Sequence, residues 1–223
     1  MPTRMAVQIN HTDDNPAAVA GPWHPAEADG GQVERYRVDG AVDGALYPTA
    51  NFEMLPVAVR LEHLTGALAR LSQNIVMQTI RFENPELTKL PRFLAAPTNE
   101  GHAFGAMQKP LVALYAENRQ LAMPVSLDTF AMAGTIEDTA SNAPLAVANL
   151  DRVLDNMYQL SSIQLLHAAQ AVDLRRRNAL GRSTRALLAA YRARVPFATE
   201  DRVYTGDFAA GMEVLRGFTA VTP

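Results

Sequence analysis

The sequence contains no cysteine. That excludes disulfides, thiolate metal sites and a cysteine nucleophile, and leaves nothing that points to secretion. The start, MPTRMAVQINHTDD, carries no apolar h-region, so a signal peptide is not expected. No stretch approaches the ~18 consecutive apolar residues of a membrane span. Charge of one sign is also scarce. A net charge of −3 and a pI near 5.9 argue against nucleic acid or an anionic membrane as partner. There is no glycine-rich phosphate loop and no serine in a G-x-S-x-G elbow. The histidines are His11, His24, His63, His102 and His167, and no two stand at i, i+3 or i, i+4, so no helical metal motif exists. For His63 and His167, both within long helical patterns, a structural role is the expected one. No internal repeat and no low-complexity tract is visible. A cytoplasmic protein is the default expectation.

What remains is globular: 223 residues, 48% hydrophobic and 19% charged. A chain of this length buries roughly 70–75% of its unfolded surface and supports its own core. Residues 4–10, RMAVQIN, alternate with Met5, Val7 and Ile9 on one side, which predicts a short strand or extended arm. HTDDNP follows as a turn. Residues 17–48 are rich in glycine and proline and read as loop, apart from VERYRV (33–38), one possible strand of a hairpin.

Helix is expected from about Met54, with Pro56 in its first turn. Val57, Leu61, Leu64, Leu68, Leu71 and Ile75 recur in steps of 4 and 3, a heptad-like seam for packing against other long helices. Gly66 within it would mark a close helix approach. Residues 85–101 are a proline-punctuated connection. A second helix is expected over about 104–121, with Pro110 kinking it or marking its true start. The longest runs over about 143–175, with Leu150, Leu154, Met157, Leu165, Ala168 and Val172 on one face and Ser161 filling the gap. Shorter helices are expected over 183–193 and 207–216. The fold class is therefore mainly α, a long-helix bundle with a small β-like N-terminal element, divided into a strand, turn and loop segment (1–51) and a helical domain (52–223).

Between the second and third helices lies Pro124 to Ser141, PVSLDTFAMAGTIEDTAS, which is not helix-like and closes on Glu137 and Asp138. Acidic loops between long helices are where chemistry tends to be carried. Three polar clusters stand out: Asp14-Asn15, Asn51-Phe52-Glu53 and Glu137-Asp138. Taken alone, each reads as a turn or a helix cap.

Together and in order, the segments resemble the C-terminal half of the histidine and aromatic amino-acid ammonia-lyases. INHTDDNP is similar to that family's L-N-S-x-x-D-N-P, and TANFEMLPVA to G-N-F-H-x-E-P-V-A. AENRQLAMPVSLD resembles S-E-N-K-x-L-x-H-P-A-S-V-D, and AGTIEDTAS resembles S-A-N-Q-E-D-H-V-S. LLHAAQAVDLR and VPFATEDRVY resemble its closing helices.

The resemblance implies elimination of ammonia from an α-amino acid by a 4-methylideneimidazol-5-one (MIO) electrophile formed from Ala-Ser-Gly. This chain has no such triplet; its nearest run is Ala140-Ser141-Asn142. It also lacks the family's Q-D-x-Y-S-x-R segment. The resemblance thus implies a split lyase, with MIO, general base and arginine on a partner chain that holds the N-terminal half, and with four copies of each half. It makes Glu137 the catalytic candidate, facing substrate or moving a proton, since a carboxylate withdrawn from water keeps its proton to higher pH. It makes Asn15 and Phe52 substrate-binding candidates, and leaves Asp138 as cap or buried partner. The departures are Glu53 for the family's histidine, Ile136 for its glutamine and Thr139 for its second histidine. Glu53 beside Glu137 would suit a cationic side chain. No metal is expected. An aminomutase on the same scaffold, a non-catalytic structural subunit and a fragment of a longer lyase are the other readings.

Overall fold

The computed structural model describes residues 2–10, 15–20, 36–38, 44–48, 52–127, 130–134, 140–176 and 179–219. The described elements are α1 (Pro2–Ile9), β1 (Ala17–Ala20), β2 (Arg37–Val38), β3 (Gly44–Tyr47), α2 (Leu55–Phe82), α3 (Pro85–Thr88), α4 (Gln108–Leu121), α5 (Ala143–Arg175), α6 (Arg182–Arg192) and α7 (Thr205–Gly217). The molecule is mainly α, as its sequence implies. Two compact units emerge: residues 1–61 with 124–146, and residues 62–123 with 147–223. The boundary drawn at 51/52 falls just before continuous helix begins at Leu55.

In the first unit, β1 and β2 flank β3 in an antiparallel sheet, with Ala17 opposite Tyr47 and Arg37 opposite Ala45. The β-like element is present, but it does not start at residue 4. Residues 4–10 are mostly helix: α1 takes Arg4, Met5, Ala6 and Gln8, all good helix formers, and seven alternating residues are too few to override them. Strands β1 and β3 arise in a stretch expected to be loop. A Cβ on Gly44 would come within 2.5 Å of the Val19 carbonyl oxygen, so this pairing requires glycine there. The expected strand at 33–38 is described only as β2.

The second unit packs α2, α4, α5, α6 and α7 around one core. Val76, Phe104, Leu111, Leu160, Ile163, Leu166, Tyr191 and Val214 belong to it. Pro110 sits in the first turn of α4 and marks its start, because a short 3-10 turn (Ala103–Met107) precedes it.

The two long helices lie where the periodicity places them, but they are rotated. The face that α2 buries within the second unit is Thr65, Ala69, Ser72, Ile75, Val76 and Thr79, which includes Ile75 of the expected seam. Leu64 and Leu71 of the expected seam are 38% and 47% exposed. The buried hydroxyls bond within their own helix, Ser72 Oγ to Ala69 O and Thr79 Oγ1 to Ile75 O, each at 2.7 Å. That removes most of the cost of burying them. Likewise α5 buries Val153, Asn156, Leu160, Ile163, His167 and Gln170, and leaves Leu154 41% exposed.

Among the described residues Gly66 marks no close approach, since a Cβ there meets nothing within 4 Å. The close approach is at Gly211 of α7, where a Cβ would lie 2.2 Å from Ser162 Oγ and 3.3 Å from the Tyr191 ring.

Candidate active site

Each nominated residue that the structure describes belongs to the first unit. Asn15 precedes a cis peptide bond to Pro16 at the foot of β1 and is exposed. Phe52 and Glu53 stand at the mouth of α2; Phe52 is 48% exposed and Glu53 half-buried. Glu137 and Asp138 lie outside the described residues, so the pairing of Glu53 with Glu137 does too.

The structure does define how the acidic loop is held. Asn142 Nδ2 donates to the Val125 carbonyl at 2.8 Å, tying the loop's two ends together. Val125 packs on Ala58, Ala143 and Ala146, with Met54 and Leu61 alongside. The two ends are thus fixed against the first turns of α2, immediately after Phe52 and Glu53. Asn142 also starts α5: in a left-handed conformation (φ 47°), it accepts the amides of Leu145 and Ala146 at 3.0 Å through its carbonyl. Sequence reasoning passed over Asn142. Its signal was an Asn directly before a helix, a capping residue able to adopt positive φ. Among the described residues of the loop, Leu127 is 77% and Phe130 75% exposed.

The Ala140-Ser141-Asn142 run, the nearest to Ala-Ser-Gly, is therefore a structural clamp. It has Asn where the cyclising triplet has Gly, and that Asn is committed at both ends of its side chain and backbone. These residues do not fit an MIO group, and no step through one is assigned to this chain. Among the described residues no cluster of His, Cys, Asp or Glu could hold a metal.

The second unit holds a buried polar pair that the sequence pattern did not reveal. His167 is fully buried on α5; its Nδ1 lies 2.8 Å from the Ile163 carbonyl and its Nε2 2.9 Å from Glu83 Oε1. A carbonyl only accepts, so Nδ1 carries a proton. Gln108 Nε2 donates to the other Glu83 oxygen at 2.6 Å. Glu83 and Gln108 also line a hollow of about 620 Å³ with Arg92 and Phe93. The structural role expected of His167 holds.

A second cluster surrounds Asp201, which accepts from Asn99 Nδ2 and the His102 amide at 2.8 Å and from the Ala103 amide at 2.9 Å. The Asn99 hydrogen bond first, then the backbone amide of His102, holds this carboxyl below the ordinary range despite some desolvation. In the same unit the Arg152 guanidinium hydrogen-bonds Glu117 at 2.7 Å and lowers its carboxyl in the same way.

Residues 2–193 match the family model of the aromatic amino acid lyases. The chain belongs to that family. It is 33% identical over 211 residues to histidine ammonia-lyase of Koribacter versatilis, covering 94% of this chain and 39% of the relative. Identity with tyrosine ammonia-lyase of Cupriavidus metallidurans is 35% over 178 residues, covering 78% and 33%. The fold is similar to that of ergothionase from Treponema denticola, solved with desmethyl-ergothioneine sulfonic acid. There the TM-score is 0.76 at 36% identity, over 93% of this chain and 38% of that one. Tyrosine aminomutase of Streptomyces globisporus gives a TM-score of 0.72 at 32% identity, over 77% and 34%. The chain therefore spans well under half the length of these relatives. No described helix is long and apolar enough to cross a membrane.

Proposed function

We propose that this chain is one subunit of a split carbon–nitrogen lyase that removes ammonia from histidine or a related aromatic α-amino acid. The observation that carries the reading is a mismatch of coverage and content. The lyase family model runs through nearly the whole chain, yet the chain spans 39% of a histidine ammonia-lyase and contains no Ala-Ser-Gly. A partner chain with the N-terminal half then supplies the MIO electrophile, the general base and the arginine that binds the substrate carboxylate. This chain supplies a wall: Asn15 toward the carboxylate, Phe52 toward the electrophile, and Glu137 toward the side chain or the moving proton. Glu53 at the head of α2 adds a second carboxylate for a cationic side chain. The exposed Leu127 and Phe130 support the reading, because large apolar side chains side by side on a surface are ordinarily covered.

The test is reconstitution. The chain is purified with and without an N-terminal-half lyase protein carrying Ala-Ser-Gly, and ammonia release is measured with histidine and tyrosine. Release from the mixture alone is expected, and Asn15→Ala or Glu137→Gln should lower it by about 10²-fold or more. Equal release without this chain overturns the proposal. If both variants turn over like the parent, the subunit is structural. The likeness to tyrosine aminomutase favours one second reading, the aminomutase, which a β-amino acid product in place of an unsaturated acid would reveal.

A further inference from the structure

The hollow beside Glu83 is built wholly from the second unit, by residues between Ile80 and Gln108. Its floor is fixed. Both Glu83 carboxylate oxygens are taken, by His167 and by Gln108, and the Glu83 carbonyl accepts the Phe93 amide at 3.1 Å. Its wall is fixed as well. Phe93 and Leu94 stand in the left-handed region at φ 55° and 56°, where residues with a Cβ are uncommon. That turn sends Leu94 into the core, fully buried, and leaves Arg92 and Phe93 on the hollow. The centre of the Phe93 ring lies 4.7 Å from the Arg92 guanidinium carbon and 5.1 Å from the centre of the His102 ring. A Cβ on Gly105 would come within 2.8 Å of His102 Nε2 and 3.1 Å of the Phe93 ring, so the two rings need glycine behind them. Backbone held in so uncommon a conformation clusters at ligand clamps.

The rim carries one charge of each sign. Glu86 and Arg92 line the hollow and are exposed, yet among the described residues neither makes an ion pair, with the other or with a third group. Lys89 Nζ donates to the Glu86 carbonyl at 2.8 Å, not to its carboxylate. Exposed arginines elsewhere in this unit do take carboxylates: Arg152 takes Glu117, Arg194 takes Glu213 and Arg216 takes Asp155. Glu83 adds no net charge to the floor. Its hydrogen bond to His167 Nε2 needs one proton, which makes the pair neutral overall whichever atom holds it. Asn84 Nδ2 and Gln108 Oε1, on the same lining, have no hydrogen-bond partner among the described residues. A simple anion here would meet Glu86, and a simple cation would meet Arg92. A molecule that carries both charges meets each with its opposite. About 620 Å³ gives it room, and free α-amino acids are the small molecules that hold a carboxylate and an ammonium together. We propose that this hollow binds a free α-amino acid, its carboxylate on Arg92 and its ammonium on Glu86. Such binding needs only second-unit residues and does not rest on the activity proposed above.

The full chain alone is titrated by calorimetry with L-histidine, with histamine, which lacks the carboxylate, and with imidazolepropionate, which lacks the ammonium. L-Histidine should bind saturably, about tenfold or more tighter than either analogue, since each analogue loses one charge-assisted contact. Arg92 and Glu86 are exposed, so Arg92→Gln and Glu86→Gln leave the fold intact, which far-UV circular dichroism checks. Each variant should weaken L-histidine by about tenfold or more. Arg92→Gln should not weaken histamine, and Glu86→Gln should not weaken imidazolepropionate, a split that assigns each ligand charge to its partner. Absence of saturable L-histidine binding overturns the proposal, as does binding that both variants retain. Binding lost in Asn15→Ala but kept in Arg92→Gln overturns it too, and places the amino acid on the substrate wall. Arg92-dependent binding that disappears when an N-terminal-half lyase chain is added assigns the hollow to that chain and likewise overturns it.

Discussion

Glu83 joins three helices with one carboxylate. It follows the last turn of α2, bonds His167 of α5 through one oxygen and Gln108 of α4 through the other. With Glu83 2% and His167 0% exposed, removing either leaves a buried polar group without its partner. Glu83→Ala or His167→Ala should therefore cost about 3–5 kcal/mol in urea unfolding. Replacing both by Leu should recover much of that loss, because a buried pair adds little beyond a well-packed apolar pair. Single variants that lose less than about 1 kcal/mol would remove Glu83 and His167 from the forces that hold these helices in register.

Helices were the legible elements. Their approximate lengths follow from periodicity, and Pro110 at the start of α4 from proline's missing N–H. Which face each helix buries was not legible. Periodicity locates an apolar stripe but does not say whether this chain or another molecule covers it, and the buried face of α2 mixes Ala69, Ile75 and Val76 with Ser72 and Thr79, whose hydroxyls bond to their own helix. Strands β1 and β3, AAVA and GALY, are four residues each and too short to show a period. At the site, sequence likeness nominated Asn15, Phe52 and Glu53, while the Asn142 clamp and the Glu83–His167 pair are contacts across 17 and 84 residues that no local pattern encodes. Gly211 is the element-level counterpart: α7 crosses α5 where only hydrogen fits beside Ser162 Oγ, which itself donates to the Phe208 carbonyl at 2.8 Å. Gly211→Ala should overpack this crossing and cost about 1–3 kcal/mol, read as a lowered urea midpoint at unchanged slope. A gain in stability, as expected for Gly→Ala in an open helix, would mean α7 is not held this closely.

At the scale of the molecule, the second unit is closed by carboxylates that reach far along the chain. Asp201 bonds Asn99 across 102 residues, and Glu117 bonds Arg152 across 35. Both carboxyls are held below their ordinary values, chiefly by the Asn99 and Arg152 hydrogen bonds respectively. The unfolded chain then binds protons at a higher pH than the folded one. The stabilisation from both groups is complete above the ordinary carboxylate value of about 4 and is lost as pH falls through the depressed folded values. Stability to urea should accordingly stay level with respect to these two groups from neutral pH to about 5 and decline below about 4. Asp201→Asn should lower the thermal midpoint at neutral pH by roughly 2–4 °C, since one acceptor oxygen is replaced by a donor facing backbone amides. The same substitution should flatten the acid limb, because the group that takes up the proton is gone. Hydrogen exchange at the amides of His102 and Ala103 places the effect: in the parent they should lose protection as acid is added, and in the variant they should be weakly protected throughout. An acid limb as steep in Asp201→Asn as in the parent would mean that other carboxylates govern acid unfolding.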